Sequence, residues 1–288
     1  VNDIGLENTV FRIKRKMSVL APHRNSVLFS DFLVKGYTCV TLSSVPQERF
    51  RDLLRAKVCL GSLITLYDDF ADRPSQINPL LLGRLYDLKL TEHNSISNSN
   101  SCEVNVLLFA KSLLSEINVT LMEMPNYVLF HEILCFDLEQ FYNANRFSSL
   151  LTTYPFINNS LEKRLHSHHN MGMIMVAMMD LMATEWIEMS EIGAMREVFL
   201  IGQRMGRIFN VLTTQKREAL ENDITGELST YQSDQEVDLA KNKLRKEIEI
   251  LHERVSTYSS HIKTFSVHGY LTGLRNLYQL HQDMEAMI

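Results

Sequence analysis

The sequence predicts an all-α protein, folded as a single bundle of about ten helices. Three observations carry that prediction. Apolar residues recur at helical spacing along almost the whole chain. Alternating apolar and polar runs long enough for strands are scarce. Only 11 Gly and 6 Pro interrupt the 288 residues. Apolar residues make up 45%, enough for a sizeable core, and charged residues make up 22%, which excludes disorder by composition. A net charge of −5 with scattered Lys and Arg excludes a dedicated nucleic-acid binder, which carries a basic patch.

The elements follow in order. A helix starts at Ser44-Val45-Pro46, with Ser44 as N-cap and Pro46 in the first turn. Phe50, Leu53, Leu54, Val58, Leu60 and Leu63 carry its stripe as far as Asp68. Further helices are predicted near 77–90, 103–118, 122–145, 160–186, 190–218, 235–262 and 267–286. The polar stretches 92–101 and 146–159, the second holding Pro155, read as connections. Helices of the same character continue on both sides, so neither is a domain linker, and residues 1–288 form one domain.

Compartment follows from the cysteines and the N-terminus. Cys39, Cys59, Cys102 and Cys135 are far apart and form neither a disulfide framework nor a zinc signature. A reducing cytoplasm is the expected home. Val1 to Ile4 lacks the basic and apolar regions of a signal peptide. The apolar run Met171 to Met179 stops at Asp180, too short to cross a membrane, so no membrane insertion is expected.

Two constellations carry chemistry. Asp68-Asp69-Phe70-Ala71-Asp72 closes an otherwise apolar helix. Asp68 and Asp72 share a face one turn apart. Carboxylates at that end repel one another and face the negative pole of the helix dipole; a cation relieves both. Hard oxygen ligands favour Mg²⁺, which commonly brings substrate phosphates with it. The plain alternative is a solvated acidic helix end. The second constellation is Asn210, Thr214 and Glu218, an amide, a hydroxyl and a carboxylate on one stripe. Arg217 beside Glu218 can meet an anion. Such a pattern also arises by chance. Together, the two stripes point to a shared role, that of holding a diphosphate at the mouth of an apolar pocket.

With these residues the sequence resembles class I terpene synthases of the single-domain microbial kind. Residues 68–72 look like the aspartate-rich motif, and Asn210, Thr214 and Glu218 like the metal triad, with Arg217 at the basic position before the last Glu. Arg164 lies 46 residues before Asn210, where that family carries an arginine that senses diphosphate. The resemblance spans roughly residues 45–280, and the stretch 222–226 is similar to the polar turn after the triad. There are departures. Val211 stands where an Asp is usual, Ser167 and His168 stand at the expected helix break where Gly is frequent, and Arg275 and Tyr278 replace a late Arg-Tyr dipeptide.

The resemblance implies a helical bundle around a central apolar pocket, a linear prenyl diphosphate substrate and a trinuclear Mg²⁺ cluster. Asp68, Asp69 and Asp72 would hold metal on one wall, and Asn210, Thr214 and Glu218 on the other. Arg164, Arg217, Arg275 and Tyr278 would bind diphosphate, guanidinium suiting it by fork geometry. Tyr67, Phe136, Ser167, His168, Met171, Met175, Met178, Met179 and Phe209 are the pocket candidates, although an apolar residue of this kind is more often plain core. Ionisation of the C–O bond then starts a carbocation cyclisation to a di- or sesquiterpene. The Met- and Leu-rich lining favours geranylgeranyl over farnesyl diphosphate. A helix-packed homodimer is common in that family. His166, His168 and His169 lack a carboxylate or Cys partner and are expected to be structural. Two rivals stand beside this reading. A chain-elongating prenyl diphosphate synthase needs a second aspartate-rich motif where the Asn-Thr-Glu triad stands, and a non-catalytic helical binding protein would carry these motifs by chance.

Overall fold

Helices account for every regular element among the described residues. The computed structural model describes residues 4–72, 79–90, 102–221, 226–228, 231 and 233–284, with the side chains of 4, 79–80, 102 and 215–221 outside the description. In chain order come α1 (Ile4–Leu20), a π-helical turn (Leu28–Phe32) running into α2 (Leu33–Val40), α3 (Gln47–Ala71), α4 (Pro79–Tyr86), α5 (Cys102–Met122), α6 (Tyr127–Thr153), α7 (Ser160–His166), α8 (Met173–Ala183), α9 (Ile192–Glu221), α10 (Asp234–Ser256) and α11 (Val267–Asp283).

The apolar run around Met171–Met179 becomes the central helix. All eleven residues of α8 are buried. It is enclosed by α3, α5, α6 and α9, and its five methionines are each worth about 1.5–3 kcal/mol of burial. Such a helix tolerates a charge only with a partner. Asp180 has one: Lys57 of α3 places Nζ 2.5 Å from Oδ1, and both side chains are fully buried. Thr41 Oγ1 accepts from Lys57 Nζ at 2.8 Å, and the Leu42 N–H donates to Asp180 Oδ2 at 3.1 Å. Burial pushes the Asp180 carboxyl up and the Lys57 ammonium down, and their mutual attraction opposes both. One core cluster extends from Ile13 to Leu277, with a smaller one between α9 and α10 around Ile208, Val211 and Leu244.

Several boundaries differ from the sequence reading. The helix expected from Ser44 begins at Gln47, with Pro46 in extended conformation as its N-cap. Ser44 Oγ instead pairs with Thr184 Oγ1 at 2.9 Å, tying that loop to the end of α8. The connection expected at 146–159 shrinks, because α6 runs on to Thr153. Ser148 and Leu151 point inward, and the hydroxyls of Thr152 and Thr153 donate back to carbonyls one turn earlier. The single helix expected over 160–186 is two. A 3₁₀ turn, Ser167–Met171, separates α7 from α8 and ends at Gly172, whose φ of 61° is left-handed. The turn therefore begins at the Ser167–His168 position named for a helix break. The expected polar loop at 92–101 lies outside the described residues, as does the expected turn at 222–225.

Glu103–Met122 is the one helix among the described residues long and apolar enough to cross a membrane. In the fold 56% of that window is buried, packed along α3.

Candidate functional site

The two motif helices meet at one cavity. Asp68, near the end of α3, and Asn210 and Thr214, on α9, all line it. Its volume is about 160 Å³. The rest of the wall comes from four places. The segment 24–40 contributes Arg24, Leu28, Phe32, Leu33, Gly36, Tyr37 and Val40. Ile64 and Thr65 belong to α3, while Met171, Met173 and Val176 come from the helix break and α8. Leu277 and His281 come from α11. The lining is mostly apolar; its polar groups come from the two motif helices and from Arg24, Tyr37, Asn170 and His281.

The aspartates of the first motif have separate fates. Asp68 stands at the rim with 36% of its side chain exposed. Asp69 turns into the protein, where Arg24 donates to its Oδ1 through Nε at 2.8 Å and Nη2 at 2.5 Å, and His23 Nε2 lies 3.3 Å away. Burial alone would raise its carboxyl, but bonds from His23 and Arg24 and the charge of Arg24 outweigh that and lower it. Asp69 is therefore an internal counter-ion and lies away from the cavity lining. Asp72 caps α3, its N–H donating to Asp68 O at 3.0 Å. Burial raises the Tyr86 hydroxyl; Asp72 and Asp68 raise it further, while Arg146, 5.3 Å over the Tyr86 ring, opposes them.

On α9 the stripe holds its spacing. Thr214 Oγ1 donates to Asn210 O at 2.8 Å, and a hydroxyl that donates in this way meets a metal through its lone pairs. Asn210 Oδ1 accepts from Arg207 Nη1 at 3.1 Å and, as an amide oxygen, has a second lone pair. Glu218 and Arg217 belong to the last turns of α9, and their side chains lie outside the described residues. A carboxylate, an amide oxygen and a hydroxyl lining one cavity form a hard donor set that suits Mg²⁺. Among the described residues no group of three or more His, Cys, Asp or Glu is gathered that could hold a metal.

The remaining candidates divide. Met171 lines the cavity. Phe209, next to Asn210 in sequence, is buried and stacks on Tyr278, centroids 4.6 Å apart. Tyr67 is a core residue and no pocket wall: its hydroxyl donates to Leu85 O at 2.5 Å and its ring stacks on Tyr142. Met175, Met178 and Met179 are buried in the core, while Met173 and Val176 are the α8 residues that line the cavity. Phe136 is corrected to the surface at 53% exposure, because the inward stripe of α6 runs through Leu134, Leu138 and Phe141. Ser167 and His168 face Glu227 and the end of α7, Ser167 Oγ donating to Glu227 at 3.4 Å and His168 Nδ1 lying 3.2 Å from Arg164 O. Arg164 is on the exposed side of α7, while its neighbour Lys163 is the buried one. Arg275 is exposed and meets His252 Nε2 at 2.7 Å. His169 is pushed down to about 4 by burial and by its neighbours His168 and His166, so its imidazole is uncharged at neutral pH.

No protein-family model matches the chain, and no curated protein matches it.

The three basic residues that line the cavity, Arg24, Arg207 and His281, all escape the sequence reading. Arg207 lies one turn before Asn210 on the same face, a spacing that could have found it. His281 is buried, packed edge-on against Phe32 at 4.7 Å, and pushed down to about 4 by burial. Arg24 comes from the segment between α1 and α2 and had no local signal.

Proposed function

We propose that the chain is a class I terpene synthase that ionises a linear prenyl diphosphate with Mg²⁺ and cyclises the resulting cation. One observation carries the reading: Asp68 and the Asn210–Thr214 stripe, 142 residues apart in sequence, line the same apolar cavity. Asp68, Asn210 and Thr214, with Glu218 one turn further on, are the residues that would hold the metal. Bound there, Mg²⁺ supplies charge stabilisation to the departing diphosphate.

The protein's own part is positioning and exclusion of water. The oxygen donors stand on two long helices, which set their direction more firmly than loops would. Leu28, Phe32, Leu33, Ile64, Val176 and Leu277 offer the hydrocarbon chain an apolar lining that does not react with a cation, and that lining keeps water away. The ring of Tyr37 adds a π-face in the same wall.

The test is incubation with farnesyl and geranylgeranyl diphosphate plus Mg²⁺, with hydrocarbon products identified by mass spectrometry. Turnover should be lost on chelation and should fall roughly a hundredfold or more in Asp68→Ala and in Asn210→Ala. Full activity in either variant, or no product from either substrate, refutes the assignment.

A further inference from the structure

Helix α1 carries four bases, Arg12, Lys14, Arg15 and Lys16, against one acid, Glu7, in a chain of net charge −5. The bases divide by surroundings. Arg12 is fastened to α5, where it pairs with Glu116 and donates through Nη1 to Ser112 Oγ at 3.4 Å. Thr9 Oγ1 donates to Glu116 Oε1 at 2.8 Å, so α1 lies alongside α5 at this level. Arg15 and Lys16 are exposed and form no ion pair among the described residues.

Apolar side chains stand open among these charges. Phe11 is 68% exposed and Val19 74%. With Arg15 they fall at spacings of four, one stripe on the outside of α1. Phe11, Arg15, Lys16 and Val19 line one surface groove together with Asn105 of α5. The outer stripe of α5 continues the apolar character. Asn105, Leu108, Ser115, Val119 and Met122 are exposed there at helical spacing, and none is charged. A solvated helix face ordinarily carries charge. One exposed apolar side chain is ordinary; several in one patch mark a surface that meets something else.

Three partners could cover such a face, and charge separates them. A second copy in a two-fold contact would bring Arg15 and Lys16 against their own counterparts, which like-charge repulsion opposes. Nucleic acid calls for a broad basic surface, and this patch offers two unpaired cations around an apolar centre. An anionic bilayer uses both features: apolar side chains enter its headgroup layer, and Lys and Arg are drawn to its surface charge.

We propose that the face formed by α1 and the outer stripe of α5 docks on an anionic membrane surface, with Phe11, Val19 and Leu108 in the headgroup layer and Arg15 and Lys16 on lipid headgroups. The chain rests on the bilayer without spanning it, since the inner half of α5 is packed along α3. None of these residues lines the cavity, so the docking surface stands apart from the reaction proposed there.

Co-sedimentation of the full chain with vesicles tests this, once with phosphatidylcholine alone and once with phosphatidylcholine and phosphatidylserine. The chain should sediment with the serine-containing vesicles only, and less so as salt is raised. Arg15→Gln with Lys16→Gln should lower the affinity roughly tenfold to thirtyfold. Phe11→Ser with Val19→Ser should lower it roughly tenfold or more. All four side chains are exposed, so both variants should keep the wild-type unfolding midpoint. Lys243→Gln with Arg245→Gln removes the same charge from exposed positions on α10 and should leave binding as it is. Binding to neither vesicle, equal binding to both, or an equal loss in the α10 variant overturns the proposal. So does a dimer in light scattering that Phe11→Ser with Val19→Ser dissociates, with no vesicle binding, which assigns the face to a second copy. Binding of RNA in place of vesicles overturns it as well.

Discussion

Lys57→Met should be among the most destabilising single changes outside the cavity. Lys57 lies one turn before Gly61 on α3, and Asp180 one turn after Val176 on α8, so their contact fastens two cavity-lining helices from behind. Removing the lysine strands a fully buried carboxylate that retains one backbone donor, the Leu42 N–H at 3.1 Å. Breaking one half of such a pair costs about 3–5 kcal/mol. At roughly 2–4 °C per kcal/mol for a chain of comparable size, the midpoint of thermal unfolding should fall by about 6–20 °C. Replacing both partners, Lys57→Met with Asp180→Leu, should recover most of the loss, because no unpaired charge remains. Urea unfolding at pH 7, followed by far-UV circular dichroism, measures all three chains. A Lys57→Met variant within about 1 kcal/mol of wild type would show that the pair is not the tie described, and so would a double variant less stable than Lys57→Met.

His281 gives a pH signature. Burial holds its folded value near 4, against 6.5 for the free side chain. Between those values the unfolded chain binds a proton that the folded chain refuses, so stability is lost as pH falls through that window. The His281→Phe variant should lose roughly 2–3 kcal/mol less than wild type between pH 7.5 and 4.5; equal losses in the two chains would exclude this. Gly172→Ala forces a left-handed backbone on a residue with a Cβ and drives that Cβ into Ile64, a cavity-lining side chain. A loss of about 1–3 kcal/mol is expected, and an unfolding midpoint equal to wild type would contradict it. Arg12→Ala breaks a partly exposed pair with Glu116 and should cost less than about 1 kcal/mol by the same urea assay.

The metal-type residues were legible because a helix maps spacing onto space. Positions 210 and 214 share a face whatever the tertiary fold, and their oxygen chemistry singles them out from the surrounding apolar residues. Arg207 obeys the same spacing but belongs to no pattern that would mark it. Apolar residues carry no such mark either. Tyr67, Met175 and Phe136 look alike in a periodic sequence, and only packing sends the first two into the core and the third to the surface. The break before α8 falls in the polar stretch Ser167-His168-His169-Asn170, at the position the resemblance named, whereas periodicity alone reads one helix over 160–186; Gly172 supplies the left-handed turn. Arg24 was beyond reach, since a lone arginine in a connection says nothing about the carboxylate that it will find 45 residues later.

The cavity also ties together two segments far apart in the sequence. Residues 24–40 build one side of it and α11 another, and α2 lies so close on α11 that a side chain at Gly273 would strike the main chain at Cys39. During synthesis this hollow cannot close until the codons for Leu277 and His281 have been read and α11 has left the ribosome. Any shortened chain that starts at residue 45 would lack one wall of this cavity.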